Sequence, residues 1–142
     1  QNDKDESSTV IHYYAISDRL DATASWSNVE VLVEKVKEAI TNACKTQGIR
    51  PKPYIGARID HIYDTGASIT FTYGFNSHNL SDPLSALRFI EQVALAEILQ
   101  SNGSVSHNIS GIGKRKKECF RESLSEPAVK VLKNMKKYVS IK

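Results

Sequence analysis

The segment SVSHNISGIGKRKK, residues 104–117, gathers the side chains best suited to chemistry. His107 sits among Ser104, Ser106, Asn108 and Ser110, and an imidazole with small polar neighbours can exchange protons near neutral pH. Gly111 and Gly113 follow, then an unbroken basic run from Lys114 to Lys117. A P-loop needs a longer Gly-to-Gly spacing and a hydroxyl after the lysine, and a dinucleotide fingerprint needs a third glycine where Lys116 stands. Both are excluded. The glycines supply tight backbone geometry before a helix whose N-terminus could face an anion. A surface histidine in a turn, followed by a solvated basic helix, is the other reading of the same stretch.

The remaining candidates are weaker. His12, His61 and His78 fall on separate elements, with no Cys or carboxylate at ligand spacing, so no metal site is expected. Asp60 and Asp64 flank a hairpin, where turn formation is their expected role. No Gly-x-Ser-x-Gly elbow supports a Ser/His/Asp triad. Tyr13, Tyr14, Phe71, Tyr73 and Phe75 could imitate an RNA-stacking platform, but the RNP1-type run is missing. Core packing explains them better, and no nucleic-acid partner is expected.

These residues must be held by elements legible in the pattern. Val10–Ile16 is β-branched and aromatic and reads as a strand. Ser27 to Glu30 has the form of a capping box, and Val29, Leu32, Val33, Val36, Ile40 and Ala43 recur behind it at helical spacing, giving a helix over 28–47. Gly48, Pro51 and Pro53 end it. Two extended runs, 54–63 and 67–75, are joined by Asp64-Thr65-Gly66, a hairpin signal. In the second run Ile69, Phe71, Tyr73 and Phe75 share one face, and Ser68, Thr70, Thr72 and Gly74 the other. The small, hydroxylated face suits close approach by another group. Ser81-Asp82-Pro83 opens a second helix with its apolar stripe on Leu84, Leu87, Ile90, Ala94 and Ile98. A short strand over 104–107 follows, then helices over 114–124 and 127–139, with Ser125 as a candidate cap.

Strand, helix, strand, strand, helix, strand is the ferredoxin-like split βαβ order. The expected fold is α+β, an antiparallel sheet with two helices on one face, followed by basic C-terminal helices. The expected division is a flexible polar N-terminus over 1–9, the ferredoxin-like unit over 10–113, and basic helices of the same domain over 114–142.

With 142 residues the chain fits one domain. No apolar run reaches the roughly 18–20 residues of a membrane span. The start at Gln1, without Met, reads as a fragment or an excised domain. Cys44 and Cys119 have no metal-ligand spacing and are expected to be reduced, which fits an intracellular compartment. From Lys114 onward ten Lys or Arg face three Glu, a net +7, whereas residues 1–113 carry −4. Such a basic segment suits phosphates, an anionic membrane surface or an acidic partner, or serves only as a solvated face.

The stretches HYYAISDRLDATASW, ARIDHIYDTGASITFTYGFN, LSDPLSALRFIEQVALAEILQSNGSVSHN and GIGKRKKECFRESLSEPAVKVLKNMKKYV together resemble the C-terminal (cap) domain of the alkylglycerone-phosphate synthase family (alkyl-dihydroxyacetonephosphate synthase), FAD-linked oxidases of the vanillyl-alcohol-oxidase type. The resemblance covers nearly the whole chain, in the right order. It implies a peroxisomal flavoprotein of ether-lipid synthesis that exchanges the acyl chain of acyl-dihydroxyacetone phosphate for a fatty alcohol. It further implies FAD bound mainly by another domain of a longer parent chain, a lipid-phosphate substrate, and homodimerisation. The catalytic positions carried over are His107 and Thr70, and the substrate- or cofactor-facing ones are Thr72, Ser106, Asn108, Gly111, Gly113 and Lys114.

The departures lie at the chemical positions. The family has three histidines where this chain keeps only His107, followed by Asn108, Ile109 and Ser110. Thr70 stands where the family has its catalytic tyrosine, and a threonine hydroxyl is far less acidic than a phenol. The family's substrate-binding arginine falls at about Ser7. The leading expectation is therefore a diverged or truncated domain, inactive alone. One alternative is the C-terminal domain of an FAD-linked 2-hydroxy-acid oxidase or dehydrogenase using His107. Another is a non-enzymatic ferredoxin-like binding module with a basic face.

Overall fold

The computed structural model describes residues 14–105, 117, 121 and 124–139. Along the chain these form β1 (Ala15–Ser25), α1 (Val29–Thr46), β2 (Tyr54–Tyr63), β3 (Gly66–Asn76), α2 (Pro83–Gln100), β4 (Ser104–Val105) and α3 (Glu126–Val139). The four strands make one sheet in the order β2-β3-β1-β4, with every neighbouring pair antiparallel. The hairpin strand β3 inserts between β1 and β2, as the split βαβ order requires. The α+β, ferredoxin-like expectation therefore holds.

The first strand corrects the sequence reading. It starts at Ala15 and runs to Ser25, rather than spanning 10–16, and residues 10–13 lie outside the described set. Tyr14 takes a positive φ of 52°, which turns the backbone just before the strand. Its carbonyl accepts from Ser77 N at 2.7 Å and Ser77 Oγ at 2.9 Å, and its ring meets His78 edge-on at 4.5 Å. Beyond it, β1 pairs with β3 from Ala15↔Asn76 to Ser25↔Gly66. Leu20, Ala22 and Ala24 are buried at every second position. The alternation is that of a half-buried strand, but alanines and charges replace the usual β-branched residues.

The capping box at Ser27 is not made. Ser27 Oγ instead meets Ser25 Oγ at 3.2 Å, and Asn28 occupies the N-cap without a capping side-chain bond. Asn28 Nδ2 donates to the carbonyl of Ser101, so the residue ties the start of α1 to the end of α2. At the second helix the expectation is met: Asp82 accepts from Ser85 N at 3.0 Å and Pro83 begins the helix.

One face of the sheet (Leu20, Ala22, Ala24, Ile69, Phe71, Tyr73, Phe75) packs on Leu32, Val36, Ile40, Ala43 and Cys44 of α1 and Ile90, Ala94, Leu95 and Ile98 of α2. Gly103 is needed where these layers meet, because a Cβ there would lie 2.9 Å from the Ile98 carbonyl oxygen and 3.0 Å from Leu32 Cδ1. Burial raises the Cys44 thiol to about 11. Lys117 and Arg121 are helical, within the helix expected over 114–124. The α3 helix buries none of its residues.

Candidate functional site

The sheet's other face carries the polar side chains. Because side chains alternate and the register is fixed, Asp21 of β1, Thr70 of β3 and Arg58 of β2 form one row across three strands. Ser68 lies one step along β3, opposite Thr23, and Thr72 lies one step the other way, opposite Arg19 and Gly56. Asp21, Ser68 and Thr70 are buried, and Thr72 is half-buried.

Thr70 Oγ1 donates to Asp21 Oδ1 at 3.0 Å. A second carboxylate joins through a β-bulge, since the β2–β3 register slips between Ile59 and His61 and leaves Asp60 as the extra residue. Asp60 Oδ1 accepts from Arg58 Nε at 2.7 Å, with the Asp60 side chain 11% exposed and that of Arg58 69% exposed. Asp60 Oδ2 is buried without a hydrogen-bond partner. The Thr70 hydroxyl is the largest influence holding the Asp60 carboxyl below its ordinary value, with Arg58 and His61 adding to it against desolvation. One hydroxyl has one proton, so Thr70 serves one carboxylate at a time. In this structure Asp21 receives it.

Neither Thr70 nor Asp60 offers an acidic proton at neutral pH. Thr70 has no titratable proton, and Asp60 stays ionised at neutral pH. Arg58, bound to Asp60 through Nε, has a largely exposed side chain.

The structure brings together the expected Thr70 and Thr72. Ser106, His107, Asn108, Gly111, Gly113 and Lys114 lie outside the described residues. The chain enters that segment from β4, where Val105 pairs with Ala22 at the edge of β1. Asp60 was expected to form a turn; it is instead a strand residue, re-aimed by the bulge toward Thr70. Asp64 does lie in the turn. Asp21 and Arg58 were missed. Their signal was the alternation of Ser17, Arg19, Asp21 and Thr23 against buried Leu20, Ala22 and Ala24, and of Gly56 and Arg58 on β2.

Near one end of the sheet, a cleft of about 350 Å³ is lined by Thr23, Ser25, Tyr63, Thr65, Asn102 and Ser104 among others. Among the described residues no group of three or more His, Cys, Asp or Glu could hold a metal ion. No described helix is long and apolar enough to cross a membrane.

A four-stranded antiparallel sheet, two helices on one face and a hydroxyl-rich polar face on the other define the class. The chain belongs to the family of FAD linked oxidases, C-terminal domain, which it matches over residues 6–139. It is 29% identical over 126 residues to alkyldihydroxyacetonephosphate synthase of Caenorhabditis elegans, a match covering 89% of this chain and 21% of that protein. Two solved structures of alkyldihydroxyacetonephosphate synthase share the fold. The one in P212121 has a TM-score of 0.59 at 19% identity and covers 81% of this chain and 20% of its own. The one in P1 has a TM-score of 0.51 at 22% identity and covers 68% and 16%. The chain thus spans about a fifth of the length of these relatives.

Proposed function

We propose that this domain is the C-terminal part of a peroxisomal flavoprotein of ether-lipid synthesis related to alkyldihydroxyacetonephosphate synthase, and that by itself it does not carry out the exchange of an acyl chain for a fatty alcohol. The observation that carries the family part is the match over residues 6–139. The observation that supports inactivity is Thr70, whose hydroxyl is buried and bound to Asp21 where the resembling enzymes have a phenol.

The residues fit FAD in a supporting role. The polar face offers the half-buried Thr72 for a ring edge to meet, with Ser68 and Thr70 buried beside it, and holding the dinucleotide falls to the FAD-binding part of the longer chain that the family implies. When bound, FAD supplies the bond-making chemistry. On this face Arg58 is the exposed cation that orients the lipid phosphate.

The test is a hybrid in which this chain replaces the matching segment of the C. elegans relative. The expected product is a yellow, folded flavoprotein without alkyl transfer from acyl-dihydroxyacetone phosphate, in which Thr70→Tyr raises activity. Transfer at the relative's own rate with Thr70 in place would overturn the inactivity claim. A folded but colourless hybrid would overturn the supporting role toward FAD.

A further inference from the structure

At the far end of α1 from Asn28, the chain turns through Gly48 (φ +72°) and a loop containing a cis Arg50–Pro51 peptide before entering β2. Between this loop and the helix lies a pocket of about 430 Å³, lined by Thr41, Lys45, Ile49, Arg50, Lys52 and Pro53. Three of its six lining residues are cations and none is a carboxylate. Among the described residues, ion pairs join Arg58 to Asp60 and Lys130 to Glu126, and neither engages the pocket's cations. Protein surfaces ordinarily intersperse both signs of charge, so three like charges around one concavity repel one another until a counter-charge arrives.

The surroundings strengthen that attraction. Ile49 and Pro53 are buried, giving an apolar floor that raises the value of each charge contact. The carbonyl end of α1 would oppose an anion. It is closed by the chain itself, with Gln47 N on Ala43 O at 3.1 Å, Gly48 N on Lys45 O at 3.0 Å and Ile49 N on Cys44 O at 3.0 Å. Thr41 Oγ1 donates to Lys37 O at 2.8 Å, so the cations dominate the polar character of the lining. The volume falls within the roughly 300–1,000 Å³ of small-molecule sites, enough for an anionic group and part of what bears it.

We propose that this pocket binds the phosphate group of a ligand, with Lys45, Arg50 and Lys52 as its counter-charges. It is a second site, separate from the Thr70 face, because α1 packs on the opposite side of the sheet. A phosphate held there anchors the domain to a phosphate-bearing molecule and takes no part in the reaction. The source is either a free phosphomonoester or a lipid headgroup.

The experiment titrates the full 142-residue chain with inorganic phosphate and with glycerol 3-phosphate, following backbone amide shifts by NMR. In parallel, flotation with phosphatidylcholine vesicles, with and without phosphatidic acid, tests the headgroup. Saturable shifts confined to Thr41, Lys45, Ile49 and Arg50 mark a free-phosphate site. Flotation only with phosphatidic acid, lost in the variant Lys45→Gln/Arg50→Gln/Lys52→Gln, marks a headgroup site. Each single substitution is expected to weaken binding about two- to fivefold, and the triple more than about tenfold. These exposed positions leave the fold intact, which the unchanged amide spectrum elsewhere verifies. Absence of saturable binding to every probe overturns the proposal, as does equal binding by the triple variant.

Discussion

Thr70→Val tests the polar row directly. Valine keeps the shape and removes only the hydroxyl, so Asp21, fully buried, loses the donor at 3.0 Å. Asp21 keeps its other contacts, so what is lost is one hydrogen bond to a charged group, about 1.5–3 kcal/mol net. The expected loss is about 2 kcal/mol. For a domain of this size each kcal/mol moves Tm by about 2–4 °C, giving a drop of about 4–8 °C by calorimetry or circular dichroism at neutral pH. Thr70→Ser keeps the donor and should lose much less. There is also an acid signature. Asp60 has a folded pKa below its ordinary 3.8, with Thr70 as the largest cause. A lowered carboxylate stabilises the fold above the unfolded pKa, and that stability disappears as pH falls through the folded value. The valine variant should therefore show a shallower loss of stability below about pH 3.8 than the wild type. A Tm within about 1 °C of wild type, with an unchanged acid limb, would refute the claim that Thr70 anchors this face.

Further substitutions separate strong contacts from weak ones. Arg58→Gln should cost less than about 1 kcal/mol, since the arginine is 69% exposed, but should raise the Asp60 pKa in an NMR titration. Cys44 should resist iodoacetamide in the native chain at mildly alkaline pH and react on unfolding, because burial lifts its thiol to about 11; rapid native labelling would contradict its burial. With its folded pKa raised above 9.0, Cys44 favours the fold below that pH, and the contribution is lost as pH rises toward 11. Gly66→Ala drives a Cβ into the Ala24 carbonyl oxygen, against backbone that cannot step aside, and should cost at least about 1–3 kcal/mol in a urea melt. Leu132→Ala on α3, where nothing is buried, should leave Tm unchanged to within about 0.5 kcal/mol of stability.

Elements with strong local signals were read from the sequence almost to the residue. The second helix starts at Pro83 with Asp82 as its cap, and the hairpin turns at Asp64-Thr65. The first strand was misplaced because its signal is weak locally: Asp18, Arg19, Asp21 and three alanines are poor strand formers. Pairing along the whole of β3 overrides that preference. The capping box failed for a similar reason. Asn28 is drawn to Ser101, 73 residues away, a partner no local pattern contains.

The candidate site shows the same division more sharply. Alternation alone put Thr70 and Thr72 on a small polar face, and the resemblance put Thr70 at the chemical position. Neither could supply Asp21, because its contact with Thr70 spans 49 residues and depends on the β1–β3 register. Asp60 was read as a turn residue because a bulge leaves no mark in a run such as Arg58-Ile59-Asp60-His61. At the position where the family resemblance implies a phenol, this chain has a buried hydroxyl facing two carboxylates, with the Asp60 carboxyl held below its ordinary value. Such a hydroxyl has no acidity to offer, and its one proton is committed to holding the strands together. Restoring the phenol therefore also requires room beside Asp21 and Asp60, so Thr70→Tyr combined with Asp60→Ser should recover more transfer in the hybrid than Thr70→Tyr alone. Equal recovery by both would show that Asp60 does not oppose the ring.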